Sequence, residues 1–182
     1  MSNRKEVARS ALVLTLIAGA VAAALAGTNV LTADTIAART AAVEDAARRQ
    51  VMEADTFEAG TLTAPDGGEV TYHTALRDGT VAGYVFTAQA VGKSAGLTVM
   101  TGISADGSIT GVVITEDNET AGYVDKVEKA GLLEQLKGTR ADTYAASDVD
   151  AVAQATKTSK GVAKAVDTAV GYYRIIMEEG QA

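Results

Sequence analysis

The chain reads as an α+β protein: one apolar N-terminal helix, then a small antiparallel-sheet domain with packed helices. Three observations predict this. A stretch from Ala11 to Leu31 carries no charge, a middle region alternates or is β-branched between Asp-Gly pairs, and two later segments have helical spacing. Strands that precede helices, without a repeating strand-helix-strand rhythm, favour α+β over a doubly wound parallel sheet. At 182 residues there is room for one ordinary domain and an appendage.

The uncharged stretch comes first. About 20 residues at 1.5 Å each cross a hydrocarbon core of roughly 30 Å, so Ala11 to Leu31 is long enough to span a membrane. Arg4, Lys5 and Arg9 precede it and the next basic residue is Arg39, a bias that places the N-terminus in the cytoplasm and the rest of the chain outside. The competing reading is a cleaved signal peptide, with Ala24-Leu25-Ala26 as the small-residue site. Against it, the apolar run continues through Val30 and Leu31. Gly19, Gly27 and many alanines give the helix a face on which other membrane helices can pack. From Asp34 to about Asp55 the pattern stays helical, with Asp34 available to cap a separate helix. The expected organisation is a cytoplasmic segment (1–10), a transmembrane helix (11–31), a juxtamembrane helical stalk (32–55) and an extracytoplasmic domain (56–182). A stalk that packs onto the domain is the alternative.

Within the domain, residues 69–76, 80–91, 97–104 and 108–115 read as strands, broken by Asp-Gly pairs at 66–67, 78–79 and 106–107. The Asp106-Gly107 pair has the chemistry of a tight primed hairpin turn. Val124, Val127, Leu132, Leu133 and Leu136 then sit near helical spacing and run to Gly138, a natural residue for a helix end. From Ser159 to about Glu178 a second helix places Val162, Val166, Val170, Tyr173 and Met177 on one stripe.

Composition narrows the chemistry. A net charge of −7, without a basic stretch interleaved with aromatics, argues against nucleic acid as a partner. With no cysteine and one histidine (His73, read as a partly exposed strand residue), thiolate, iron–sulfur and histidine-cluster metal sites are excluded. Redox chemistry would need an organic cofactor. The segment Asp150 to Val162, DAVAQATKTSKGV, holds Thr156, Thr158 and Ser159 ahead of the last helix, with Lys157 and Lys160 beside them. A helix start offers unsatisfied N–H groups and partial positive charge, which suit a phosphate; simple capping accounts for the same residues.

This arrangement of anchor, stalk, domain and terminal helix resembles the G subunit of the Rnf electron transport complex and the related C subunit of the sodium-pumping NADH:quinone reductase. The family's attachment motif runs Asp, two variable residues, Ser or Thr, Gly, Ala, Thr, followed by another hydroxyl. Asp150, Ala155 and Thr156 match it, and Thr158 and Ser159 supply the trailing hydroxyls; Ala153 and Gln154 depart from it. The stretch from Gly107 to Gly138 resembles the family's strand, Glu-Thr-Pro-Gly turn and helix, with Glu119, Thr120 and Gly122 kept and Ala121 in place of proline. Residues 83–103 resemble its strand, glycine-rich turn and strand, the turn being Gly92-Lys93-Ser94-Ala95-Gly96.

The resemblance implies FMN joined by a phosphoester to Thr156 by a flavin transferase that uses FAD. Asp150, Ala155, Lys157, Thr158 and Ser159 are its neighbours, and Glu119 and Thr120 are candidates for the flavin edge; helix capping is the plainer role for that pair. It also implies an electron carrier in the cytoplasmic membrane, not catalytic alone. Such a subunit works with other membrane and redox subunits in ferredoxin:NAD+ oxidoreduction coupled to ion translocation. A quinone-reductase C subunit, a free-standing flavodomain and a non-redox interaction domain are the rival readings. Tyr84, Tyr123 and Tyr144 are aromatics for which core or rim packing is the usual alternative to stacking on a flavin.

Overall fold

In a computed structural model, residues 2–93 and 96–180 are described. They form two compact units, Met1–Val43 and Glu44–Ala182. The first unit is helical, part of α1 (Ser2–Val51), which passes Asp34 without a break, so the cap that Asp34 could supply is not used. Its apolar side chains, among them Leu12, Leu14, Leu16, Leu25 and Leu31, lie on the surface, and none of its most apolar window is buried by protein. A helix apolar all round and uncovered by its own chain is suited to lipid.

The second unit begins with the last turns of α1 and continues into a five-stranded antiparallel meander among the described residues: β1 (Thr56–Thr63), β2 (Glu69–Arg77), β3 (Thr80–Val91), β4 (Gly96–Ser104) and β5 (Ile109–Asp117). Four strands fall where alternation placed them. β1 was not anticipated: it directly follows the helical segment, and among its residues only Leu62 is buried, so its alternation is faint. It pairs with β2 from Thr56 opposite Leu76 to Thr63 opposite Glu69.

The turns explain the register. Asp78 (φ 50°) and Gly79 (φ 73°) both take left-handed backbone, as a type I′ hairpin requires. At Asp106-Gly107 only Gly107 does (φ 87°), so this turn is not the primed one its sequence suggests. The Gly107 N–H donates to the Ser104 carbonyl and the register shifts between Gly102 and Ile103, the signature of a bulged hairpin.

Helices cover one face of the sheet. The single helix expected up to Gly138 is two, α2 (Tyr123–Lys129) and α3 (Leu132–Gln135). Gly131 between them has φ +73°, which ends α2 and turns Leu132 and Leu136 into the core. After a 3₁₀ turn at Ala146–Asp148, α4 (Thr156–Glu179) lies across the sheet, starting three residues earlier than the expected Ser159. Val162, Ala165, Val166, Ala169 and Val170 are fully buried against Phe86, Leu97, Val99 and Ile103. Strand alternation sends Val85 and Met100 to the other face, where Ala47, Val51 and Met52 cover them. There the end of α1 approaches so closely that a Cβ at Gly102 would lie 2.5 Å from the Val51 carbonyl. Thr110 Oγ1 donates to that carbonyl at 2.5 Å, fastening the helix end to β5. His73 of β2 is half-buried, 3.2 Å from Arg48, and burial first and the guanidinium second push its imidazole below its ordinary pKa.

Candidate functional site

The site lies where three irregular segments meet: the end of β3 with the turn after it, the turn joining β5 to α2, and the loop leading into α4. Small residues make the meeting possible. A Cβ on Gly161, one turn into α4, would stand 3.0 Å from the Val91 carbonyl, and one on Gly92 would stand 2.6 Å from Glu119 Oε1. The β3 end is thereby pressed against both α4 and the β5–α2 turn.

A cleft of about 250 Å³ opens there, lined by Lys93, Tyr123, Gln154, Ala155, Thr156, Lys157 and Thr158. The Lys93 backbone N–H donates to Glu119 Oε2 at 2.9 Å, and Thr158 Oγ1 donates to the same oxygen at 3.5 Å, so Glu119 ties all three segments together. Lys93 Nζ donates to the Tyr123 hydroxyl, and its ammonium lies 4.1 Å from that ring's centroid; Lys126 Nζ lies 5.2 Å from the same centroid. The Lys93 hydrogen bond and charge hold the Tyr123 hydroxyl below its ordinary pKa. Thr120 accepts the Tyr123 N–H on its carbonyl at 3.3 Å and so shapes the turn into α2.

The three hydroxyls of the motif are not equivalent. Thr156 is exposed in the cleft, whereas Thr158 and Ser159 are 0% and 1% exposed. Ser159 Oγ accepts the Val152 N–H at 3.1 Å and donates to the Ala155 carbonyl at 3.1 Å, stitching the loop to the helix. Ala155 is the N-cap residue, buried and without a side-chain cap, and the first turn carries no acidic residue. Unsatisfied N–H groups, the positive end of the helix dipole and Lys93, Lys126 and Lys157 nearby fit a phosphoryl group held beside Thr156.

Gln154 has φ +64°, one of two non-glycine residues in left-handed backbone among the described residues. The motif's usual glycine would take this conformation freely; a side chain there costs about 1–2 kcal/mol. The departure noticed in the sequence is therefore a departure at the residue whose backbone turns the chain into α4. Asp150 is not brought into the cleft. It is exposed and lines a separate cavity with Leu132, Leu136, Tyr144 and Val149. Ser94 and Ala95 of the glycine-rich turn lie outside the described residues. Of the three tyrosines considered, Tyr144 is buried with its hydroxyl on the Ala163 carbonyl, Tyr84 packs against Tyr72, Phe86 and Tyr173, and Tyr123 alone lines the cleft. Sequence reasoning named Lys93 only within a glycine-rich turn that could approach the cofactor and passed over Lys126; the Lys93–Tyr123 contact joins segments 30 positions apart, whereas Lys126 shares α2 with Tyr123.

Residues 92–171 match the FMN-binding domain family, and residues 1–51 match the RnfG N-terminal region. The G subunit of the Na(+)-translocating ferredoxin:NAD(+) oxidoreductase complex of Acetobacterium woodii is 31% identical over 93% of each chain. The chain belongs to the Rnf G-subunit family. The family match settles the choice between the two related families in favour of the Rnf side. It also makes the fold's inventory intelligible, since the matched flavin-binding region contains every residue that lines the cleft. The crystal structure of Shewanella oneidensis NqrC is a more distant neighbour, at TM-score 0.45 and 20% identity, covering 69% of this chain and 66% of that one.

Proposed function

We propose that this Rnf G-family subunit carries FMN on Thr156 through a phosphoester and relays electrons outside the cytoplasmic membrane, in a complex that couples ferredoxin:NAD+ oxidoreduction to ion translocation. A membrane-anchored, FMN-binding electron-transport subunit is what membership of the family means. The single observation that favours Thr156 is the contrast in accessibility: it is exposed at an uncapped helix start, while Thr158 and Ser159 are buried and hydrogen-bonded.

On this reading a flavin transferase brings FAD to the cleft. The Thr156 hydroxyl gives up its proton and forms the new P–O bond, and AMP leaves. FMN, when bound, supplies one- and two-electron transfer. The chain's own residues do the rest. The N–H groups at the start of α4 and the lysines around it hold the phosphoryl charge, Tyr123 offers a flat wall, and Glu119 keeps the two turns in place. The positive-inside bias of Arg4, Lys5 and Arg9 supports a cytoplasmic N-terminus and an extracytoplasmic domain. Ion movement would belong to partner subunits.

Two measurements test this. Protein produced with the transferase is expected to show flavin fluorescence after denaturing electrophoresis, with the mass of FMN less one water on the peptide bearing Thr156; Thr156→Ala is expected to lose all of it. Flavin on Thr158, or none on any residue, rejects the assignment. Since the chain has no cysteine, single cysteines introduced near residue 3 and near Asp66 are expected to react with impermeant maleimide on opposite sides of the membrane.

A further inference from the structure

Gln154 presents a puzzle that the attachment reading leaves open. It occupies left-handed backbone, which a residue with a Cβ adopts only when its surroundings over-determine it. Its side chain is engaged: Lys126 Nζ donates to Gln154 Oε1 at 3.3 Å, joining α2 to the loop before α4. The same ammonium lies 5.2 Å from the centroid of Tyr123. Tyr123 and Gln154 both line the cleft with Thr156, so Lys126 is bracketed at its wall by two lining residues. A glycine at 154 would relieve the backbone and lose this hold.

Resting on the assignment of FMN to Thr156, we infer that Gln154 is a positioning residue: it gives up the backbone ease of glycine to hold Lys126 at the cleft wall, where the ammonium supplies counter-charge for the phosphoryl group on Thr156. The charge balance agrees. A phosphodiester bears one negative charge near neutral pH, Glu119 in the same neighbourhood adds another, and the first turn of α4 carries no acidic residue. An ammonium pinned against an aromatic face stays close to this anion without ordering a long free side chain at the moment of binding.

The test uses the full chain in detergent, without flavin, as wild type, Gln154→Gly, Lys126→Met and the double variant. Inorganic phosphate is titrated while the backbone amide resonances of residues 156–158 are followed, and thermal unfolding is recorded in parallel. Gln154→Gly is expected to melt no lower than wild type, because its backbone is relieved, yet to bind phosphate several-fold more weakly. Lys126→Met should weaken binding equally, and the double variant no further. Gln154→Asn, which tolerates left-handed backbone but is one methylene shorter, should behave like the glycine variant. Unchanged phosphate affinity in Gln154→Gly, additive losses in the double variant, or no phosphate-dependent shifts in wild type would each overturn the inference. The titration involves no flavin, so it is scored separately from the attachment reading: wild type that binds phosphate through Lys126 but accepts no flavin at Thr156 rejects that reading and leaves the Gln154–Lys126 device standing.

Discussion

The two ends of α4 obey different rules. From Val162 to Tyr173 its inward side is buried against the sheet, and the sequence shows the apolar stripe that this burial needs. At Thr156 to Thr158 the same helix starts without a cap, beside a left-handed glutamine and a cluster of lysines. One end minimises free energy by packing. The other starts without a side-chain cap and leaves a hydroxyl exposed, as suits a binding site. The comparison shows why a helix can be predicted well along its length and poorly at its start.

Breaking the packed end should have the largest effect on stability. Phe86 is fully buried with its centroid 6.3 Å from Tyr172 of α4, and Phe86→Ala is expected to cost about 3–5 kcal/mol, read as a lowered urea midpoint. A smaller loss is expected where the two ends join. Ser159→Ala leaves the half-buried Val152 N–H without its acceptor, at about 1 kcal/mol. It should also loosen hydrogen-exchange protection at residues 152–156 before the rest of the domain, and global loss alone would count against a local stitch. In the opposite direction, Thr101 is fully buried and its Oγ1 has no partner among the described residues. Thr101→Val should stabilise the domain by about 1 kcal/mol, and a lower melting temperature would contradict the assignment of an orphaned hydroxyl.

The last effect concerns charge at the open end and is spectroscopic. Lys93 lowers the Tyr123 pKa in the folded state, so the unfolded state binds more protons in the interval below the ordinary tyrosine value of about 10. The stabilising contribution is therefore full above that value and is lost as pH falls through the folded pKa. Absorbance at 295 nm should show one tyrosinate forming ahead of the others. Lys93→Met should move it back among them, and Tyr123→Phe should remove it. An unchanged titration in Lys93→Met would show that the ammonium does not govern this hydroxyl.

Much of the fold was legible because alternation and helical spacing are local consequences of burial. β3 runs from Thr80 to Val91 as its pattern indicated, and the apolar stripe of α4 faces the core. β1 escaped because an edge strand with one buried residue leaves little pattern. The split at Gly131 escaped because spacing near 3.6 survives a glycine that turns the chain. At the site, the hydroxyl-rich motif was visible, and so was the anomaly at Ala153 and Gln154. The separation of Thr156 from Thr158 and Ser159 was not, since all three look alike until burial distinguishes them.

What the sequence determined by itself is whatever one segment can express: an uncharged helix long enough for a bilayer, alternating strands, a hydroxyl-rich helix start and membership of a flavin-binding family. Tertiary structure decided what depends on segments meeting. It placed Lys93 on Tyr123 and Lys126 on Gln154, used Glu119 to join the turns, left Asp150 in another cavity and put left-handed backbone at Gln154. The physical reason is range. Periodicity and turn chemistry act over a few residues, whereas a charged cleft exists only after close packing, here at Gly92 and Gly161, has brought distant loops within hydrogen-bonding reach.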